Sequence, residues 1–307
     1  FIVAGSPCAI KVAGKIIKYN DTRLMPLDTE KMIKDIYQLA NNRDFSNFLA
    51  SGDDDFSFSL PNIGRFRVNA YRQRNSCAAV LRIVRFELPD PKKMHIPEIV
   101  CDLANQKKGM ILVTGPAGSG KSTTLACIID QINQKRNTHI ITIEDPIEYL
   151  HSHNKSIVSQ REVFHDTKNY VAALKAALRE APEVILVGEM RDLETIDIAI
   201  TAAETGHLIF SSLHTVGAAN TIDRMIDVFP ASQQQQIRVQ LAMVLNAVIC
   251  QQLLPGVDGK MIPAFEIMIC NQAIRTLIRD GKTHQIDSTI SNSRQFGMIT
   301  MDEAIIE

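Results

Sequence analysis

An α/β fold is predicted: a domain with a mostly parallel sheet, preceded by a small α+β domain. Three observations carry this expectation. Beyond residue 99, short runs of Ile, Leu and Val alternate with stretches at helical spacing. The first of those runs leads straight into a glycine-rich turn and then a helix. The opening stretch reads differently, as one helix among short strands. A length of 307 residues suits two domains, and we place them at 1–87 and 99–307 with a linker over 88–98.

In the first domain, Ala9-Ile10-Lys11-Val12 and Lys15-Ile16-Ile17 flank Gly14 and predict a hairpin. Asp28 is expected to cap a helix whose apolar positions are Met32, Ile36 and Leu39. Residues 56–60, 65–71 and 78–86 then read as a meander with turns at Pro61-Asn62 and Asn75-Ser76. Leu88-Pro89-Asp90-Pro91 has two prolines and no periodicity, as expected of a linker. In the second domain, the runs at 110–113, 139–143, 184–187 and 208–210 are nearly all aliphatic, the pattern of strands covered on both faces. Between them, Leu125, Ile128, Ile129 and Ile132 share a helical stripe, as do Ile196, Ile200 and Ala203, with Gly206 placed to end the second helix. Ser232 and Gln235 have capping-box spacing ahead of a helix expected to carry Ile237, Leu241, Val244, Leu245 and Val248.

Composition excludes several classes. With 33 Lys and Arg against 34 Asp and Glu, the net charge is −1, unlike a domain that neutralises many phosphates, so no nucleic-acid partner is expected. No apolar run is long enough to cross a bilayer, and direct membrane insertion is not expected. The chain opens on Phe-Ile-Val without a Met, which we read as the continuation of an earlier segment. The six cysteines form no C-x-x-C pair, and their apolar neighbours suit a reducing, cytoplasmic setting.

Gly115-Pro116-Ala117-Gly118-Ser119-Gly120-Lys121-Ser122 matches G-x-x-x-x-G-K-S, and Thr123 completes the expected ATP-binding set. Glycines let backbone N–H groups close around phosphates, and the following helix adds its partial positive end. Lys121 would reach the β- and γ-phosphates, and the Ser122 hydroxyl would ligate Mg²⁺. No Asn-Lys-x-Asp guanine reader is present, which favours ATP over GTP. The parallel strands should aim their following loops at one edge. Those loops carry Glu144-Asp145-Pro146-Ile147-Glu148, Gly188-Glu189-Met190-Arg191-Asp192 and His214-Thr215. Glu189 fits a Walker B position on Mg²⁺ or its water, leaving Glu144 to orient the attacking water; pattern alone leaves open which glutamate is the base. Asp192 is either part of this set or a helix cap. His207 and His214 flank one strand, and His214 stands where a γ-phosphate sensor would.

Together these blocks resemble the secretion-ATPase superfamily, the hexameric motors of type II secretion and type IV pili. Its Walker A, Asp-box, Walker B and His-box signatures are similar to Gly115–Ser122, Ile141–Tyr149, Ile185–Asp192 and Thr201–Thr215. Ala273-Ile274-Arg275-Thr276-Leu277-Ile278-Arg279-Asp280 is similar to the AIRNLIRE motif of PilT-type pilus-retraction ATPases, departing at Thr276 and Asp280. The resemblance implies a PAS-like first domain and a RecA-like ATPase domain, assembled as a homohexamer with ATP and Mg²⁺ between subunits. It implies a cytoplasmic motor docked at the inner face of the inner membrane on a pilus platform protein. It also assigns Arg67 and Arg82 to the nucleotide phosphates. Arg82 sits among Ala79, Val80, Leu81, Ile83 and Val84, where a buried arginine would need a partner; a rim salt bridge is the alternative. For Arg275, Leu277, Ile278 and Arg279 the family likeness implies coupling of ATP turnover to retraction, with truncation after residue 272 expected to spare the ATPase; amphipathic spacing alone implies a terminal helix with a charged outer face. Rival readings are a pilus-extension or type II secretion ATPase, which commonly carries a four-cysteine zinc insertion, and a RecA-like nucleic-acid translocase.

Overall fold

The computed structural model describes residues 1–306 apart from 13–14, 61–62, 85–86 and 257–259. The chain separates into two compact units, Phe1–Phe86 and Glu87–Glu307. The turn expected at Pro61-Asn62, Gly14, and the last two residues of the strand expected over 78–86 lie outside the described residues.

The small unit runs β1 (Ala9–Val12), β2 (Lys15–Lys18), α1 (Pro26–Leu39), α2 (Phe45–Ser51), β3 (Asp53–Leu60), β4 (Gly64–Gln73) and β5 (Ser76–Val84). β1 and β2 pair as a hairpin, and β3-β4-β5 form an antiparallel meander. Ile33, Tyr37, Phe48, Phe56 and Val68 fill its core. Asp28 is not the N-cap expected of it. Pro26 begins α1, since its fixed φ suits the first turn, and Asp28 sits in that turn with its carboxylate accepting from the Met25 N–H at 2.8 Å.

The large unit continues with α3 (Glu98–Asp102), β6 (Gly109–Thr114), α4 (Lys121–Lys135), β7 (His139–Glu144), β8 (Ile157–Glu162), α5 (Tyr170–Ala177) and β9 (Val184–Val187). It goes on through α6 (Leu193–Glu204), β10 (Leu208–Leu213), α7 (Ala218–Asp227), α8 (Ala231–Val244), β11 (Leu245–Pro255), β12 (Met261–Ile269), α9 (Gln272–Arg279), α10 (Ile286–Ser291) and α11 (Met301–Ile306). The strand order is β12-β11-β6-β10-β9-β7-β8, parallel throughout except for β11 with β12. Alternation along β6 feeds two cores: Met110 and Leu112 face one side, Ile111 and Val113 the other. The α4 stripe Ile128, Ile129 and Ile132 fills the second core, and α5 to α9 cover the first. Both faces are therefore dry, and the loops at the carboxyl ends of the strands hold the chemistry.

Two expectations along this stretch are corrected. The helix expected through Val248 ends at Val244, and Leu245 and Val248 belong to β11. Pro230, not Ser232, precedes its first turn. A strand buried on both faces is apolar throughout, so over two turns it also satisfies a helical stripe.

Candidate active site

The glycine-rich turn follows β6 as expected, and its shape depends on β11 behind it. A Cβ on Gly115 would stand 2.1 Å from the Gln251 carbonyl oxygen, and one on Gly120 would stand 2.8 Å from the Gln251 amide nitrogen. Both glycines have positive φ, at +140° and +91°. Gln251 is further fixed by the Thr124 hydroxyl, which donates to its Oε1 at 2.7 Å. Lys121 opens α4, is buried, and donates from Nζ to the carbonyls of Gly115 and Pro116 at 2.9 and 3.0 Å. Burial lowers its pKa, against the pull of the Glu148 and Glu189 carboxylates. The Ser119 hydroxyl is buried without a hydrogen-bond partner among the described residues.

Of these residues Lys121 lines a cavity of about 310 Å³, together with Ala117, Gly118, Ser122, Glu144, Asp145, Glu148, Gly188, Glu189 and His214. The loops after β6, β7, β9 and β10 thus converge as the sequence predicts. Glu144 ends β7. Its Oε1 accepts from the Thr142 hydroxyl at 2.6 Å and from the Gln160 amide at 3.3 Å. Burial nevertheless pushes its carboxyl up to about 7, with the nearby Glu148 charge adding to the rise. Glu189 follows β9, where Arg191 pairs with its Oε2 at 2.7 Å and His214 Nε2 stands 3.6 Å from the same oxygen. Two carboxylates at one edge therefore have different settings among the described residues: one raised by burial and supplied by neutral donors, one paired with the Arg191 guanidinium.

Other expected residues resolve differently. Asp192 is the helix cap of its two readings, accepting from the Thr195 N–H at 2.9 Å. His207 lies at the opposite, amino end of β10, with Nδ1 3.0 Å from the Ala202 carbonyl, and closes the end of α6. Arg67 and Arg82 are register partners on β4 and β5, and Arg82 is exposed, not buried as its apolar neighbours suggest. The expectation of a costly buried arginine is therefore overturned. Two like charges directly opposite each other repel, which an anion between them would relieve. In α9, Ile278 is fully buried and Arg275 donates to the Ala242 carbonyl at 2.5 Å and to the Met243 carbonyl at 3.0 Å, capping α8. Leu277 is partly buried and Arg279 exposed beside Asp280, at 3.3 Å. The segment after 272 also supplies Ile274, Ile286, Ile290 and Met298 to the first core, so it is not separable from the ATPase fold.

Sequence reasoning missed the frame behind the site. Gln160 on β8 accepts the His151 N–H at 2.8 Å and donates to the Tyr149 carbonyl at 2.9 Å, and the Tyr149 and Thr123 hydroxyls share a hydrogen bond of 2.9 Å. His151 Nδ1 is buried at the cavity wall without a partner among the described residues, and burial lowers its imidazole to about 4, so the ring is neutral. A second cavity of about 390 Å³ is lined by Gly120, Thr123 and Thr124 at the start of α4 and is walled by Met94, Ile96, Leu253, Ile262 and Pro263.

The type II/IV secretion system protein family model matches residues 40–295. This chain belongs to that family. It is 46% identical over 97% of its length to the type IV pilus retraction ATPase PilT of Pseudomonas aeruginosa, covering 86% of that protein. It is 40% identical over 100% of its length to the type IV pilus ATPase PilU of the same organism, covering 80% of it. Its structure superposes on the pilus retraction motor PilT with bound ADP with a TM-score of 0.86, at 48% identity over 98% of this chain and 90% of that one. The sequence expectations of an α/β fold with a mostly parallel sheet, and of a secretion ATPase of the pilus-retraction type, agree with these matches.

Proposed function

We propose that this chain is a Mg²⁺-dependent ATPase that works as a homohexameric motor for type IV pilus retraction, cytoplasmic and docked on an inner-membrane platform protein. One observation supports this reading above the others: Lys121 and a carboxylate with a pKa near neutrality, Glu144, line a single cavity at the end of the P-loop. The residues present fit the group. The turn formed by Gly115 and Gly120 leaves backbone N–H groups free of side-chain bulk, and the Ser119 hydroxyl lacks, among the described residues, a partner that a phosphate oxygen would supply. The apolar second cavity suits the base of the nucleotide.

Ser122 and Glu189 would hold Mg²⁺, which supplies charge neutralisation on the β- and γ-phosphates. Lys121 leaves its carbonyl partners to contact those phosphates, while the amino end of α4 adds its dipole. Glu144 orients the attacking water and takes its proton, a role matched to a carboxylate that titrates near neutral pH. His214, whose Nε2 stands 3.6 Å from Glu189 Oε2, would respond to the γ-phosphate. Arg67 and Arg82, paired like charges on an exposed sheet face, add positive charge to the same phosphates in the assembled ring. Within α9, Arg279 and the exposed part of Leu277 are the surface available for coupling to retraction; Arg275 and Ile278 act by holding the helix in place. Deleting the gene distinguishes retraction from extension. Cells should carry excess surface pili and lose twitching motility, whereas cells without pili would assign the chain to assembly.

A further inference from the structure

Among the described residues the donors to Glu144 are neutral, the Thr142 hydroxyl, the Gln160 amide and the Glu148 backbone N–H, and Gln160 comes from another strand. Thr142 precedes it on β7 and is fixed by the same backbone. Gln160 stands on β8 as the register partner of Thr142, so its side chain shares a sheet face with Thr142 and Glu144. Its amide is used at both ends: Oε1 accepts the His151 N–H, and Nε2 donates to the Tyr149 carbonyl and to Glu144 Oε1. Tyr149 in turn reaches Thr123, the neighbour of Ser122, through its hydroxyl. A continuous set of contacts therefore joins the first turn of α4 to Glu144 without passing through solvent.

We propose that Gln160 is a positioning residue for hydrolysis: it fixes the Glu144 carboxylate by one oxygen and ties that geometry to the Tyr149 segment lying against the P-loop helix. This rests on the reading of Glu144 as the base. A glutamine suits the task because the segment needs one acceptor and one donor while the carboxylate needs a second donor, and a primary amide supplies all three. A charged residue could not: glutamate would lack the donors, and lysine the acceptor. Two neutral donors to one oxygen also favour the ionised form against the burial that opposes it. Other titratable groups around Glu144 are Asp145 and Glu148 in its own loop, Glu162 as its register partner on β8, Tyr170 on α5, Glu189 and Arg191 after β9, and Lys121 on α4; of these residues Glu148 also bonds the carboxylate, through its backbone N–H.

The test compares steady-state ATP hydrolysis of the full chain with Gln160→Leu, Gln160→Glu and Glu144→Gln, alongside the affinity of each for a fluorescent ADP analogue. Gln160→Leu keeps volume and removes both polar ends. We expect kcat to fall by roughly tenfold or more while ADP affinity stays within about threefold, since a misplaced base costs rate without costing ground-state binding. The acid limb of the kcat profile should move to higher pH in Gln160→Leu and further in Gln160→Glu, because each loses a donor to the charged base and the second adds a like charge. A residue that merely supports the fold would lower kcat and affinity together and leave the limb in place, and that result overturns the proposal. So does a wild-type kcat in Gln160→Leu when Glu144→Gln is inactive. If Glu144→Gln keeps the wild-type rate, it is instead the assignment of the base that fails.

Discussion

The two ends of the central sheet carry similar polar side chains in opposite condition. At the amino ends of the strands, Glu183 accepts from the Thr138 hydroxyl and the His139 N–H at 2.7 and 2.8 Å, and these bonds hold its carboxyl below the usual range. There His139 spans from the Glu180 carbonyl to the Ser159 hydroxyl, and His207 closes α6. At the carboxyl ends, Glu144 is pushed up to about 7, Lys121 is lowered, and Ser119 and His151 each keep a buried atom without a partner among the described residues. One end satisfies its polar groups and stabilises the fold. The other leaves them unsatisfied, which a structure tolerates where a ligand completes them. The comparison separates two histidines, His207 and His214, that the sequence places on either side of one strand.

The contrast can be broken most sharply at Lys121. Lys121→Ala should abolish ATP hydrolysis in a coupled phosphate-release assay; turnover near the wild-type rate would remove the carboxyl end from the chemistry. Next in size is the pH dependence. A base must be ionised to accept a proton, and burial raises the pKa of Glu144, so kcat should fall below pH about 7, by about tenfold for each further unit. A flat profile from pH 6 to 8 would transfer the base role elsewhere. The smallest effect belongs to the satisfied end: His207→Ala should lower Tm by about 2–4 °C for the loss of roughly 1 kcal/mol at the end of α6, and leave kcat unchanged. A large loss of kcat there would erase the distinction between the two ends.

Much of this was legible from residue order. The P-loop needs its glycines at fixed spacing after a strand and before a helix, and Gly115 and Gly120 are where Gln251 leaves no room for a side chain. The loops bearing Glu144, Glu189 and His214 could be placed together because parallel strands put their carboxyl ends on one edge. What stayed hidden depends on neighbours distant in sequence. Arg82 looks buried by its own strand, but exposure is set by the face opposite β4, where Arg67 faces it. β8 is not legible because its six residues, Ile157 to Glu162, hold only two aliphatics followed by four consecutive polar residues, with no alternation to mark a strand. With β8 went Gln160, whose role depends on a hydrogen bond across 16 residues. Val248 fits a helical stripe because no local signal marks where α8 hands over to β11.

The most direct measurement is single-turnover ATP hydrolysis by Glu144→Gln beside its nucleotide affinity. A neutral amide of the same shape keeps the cavity but cannot accept the proton. Affinity within about threefold of wild type, with hydrolysis slowed 100-fold or more, is the outcome expected for a general base. Hydrolysis at the wild-type rate, with nucleotide bound as tightly, would mean that the raised carboxyl of β7 has no part in the reaction.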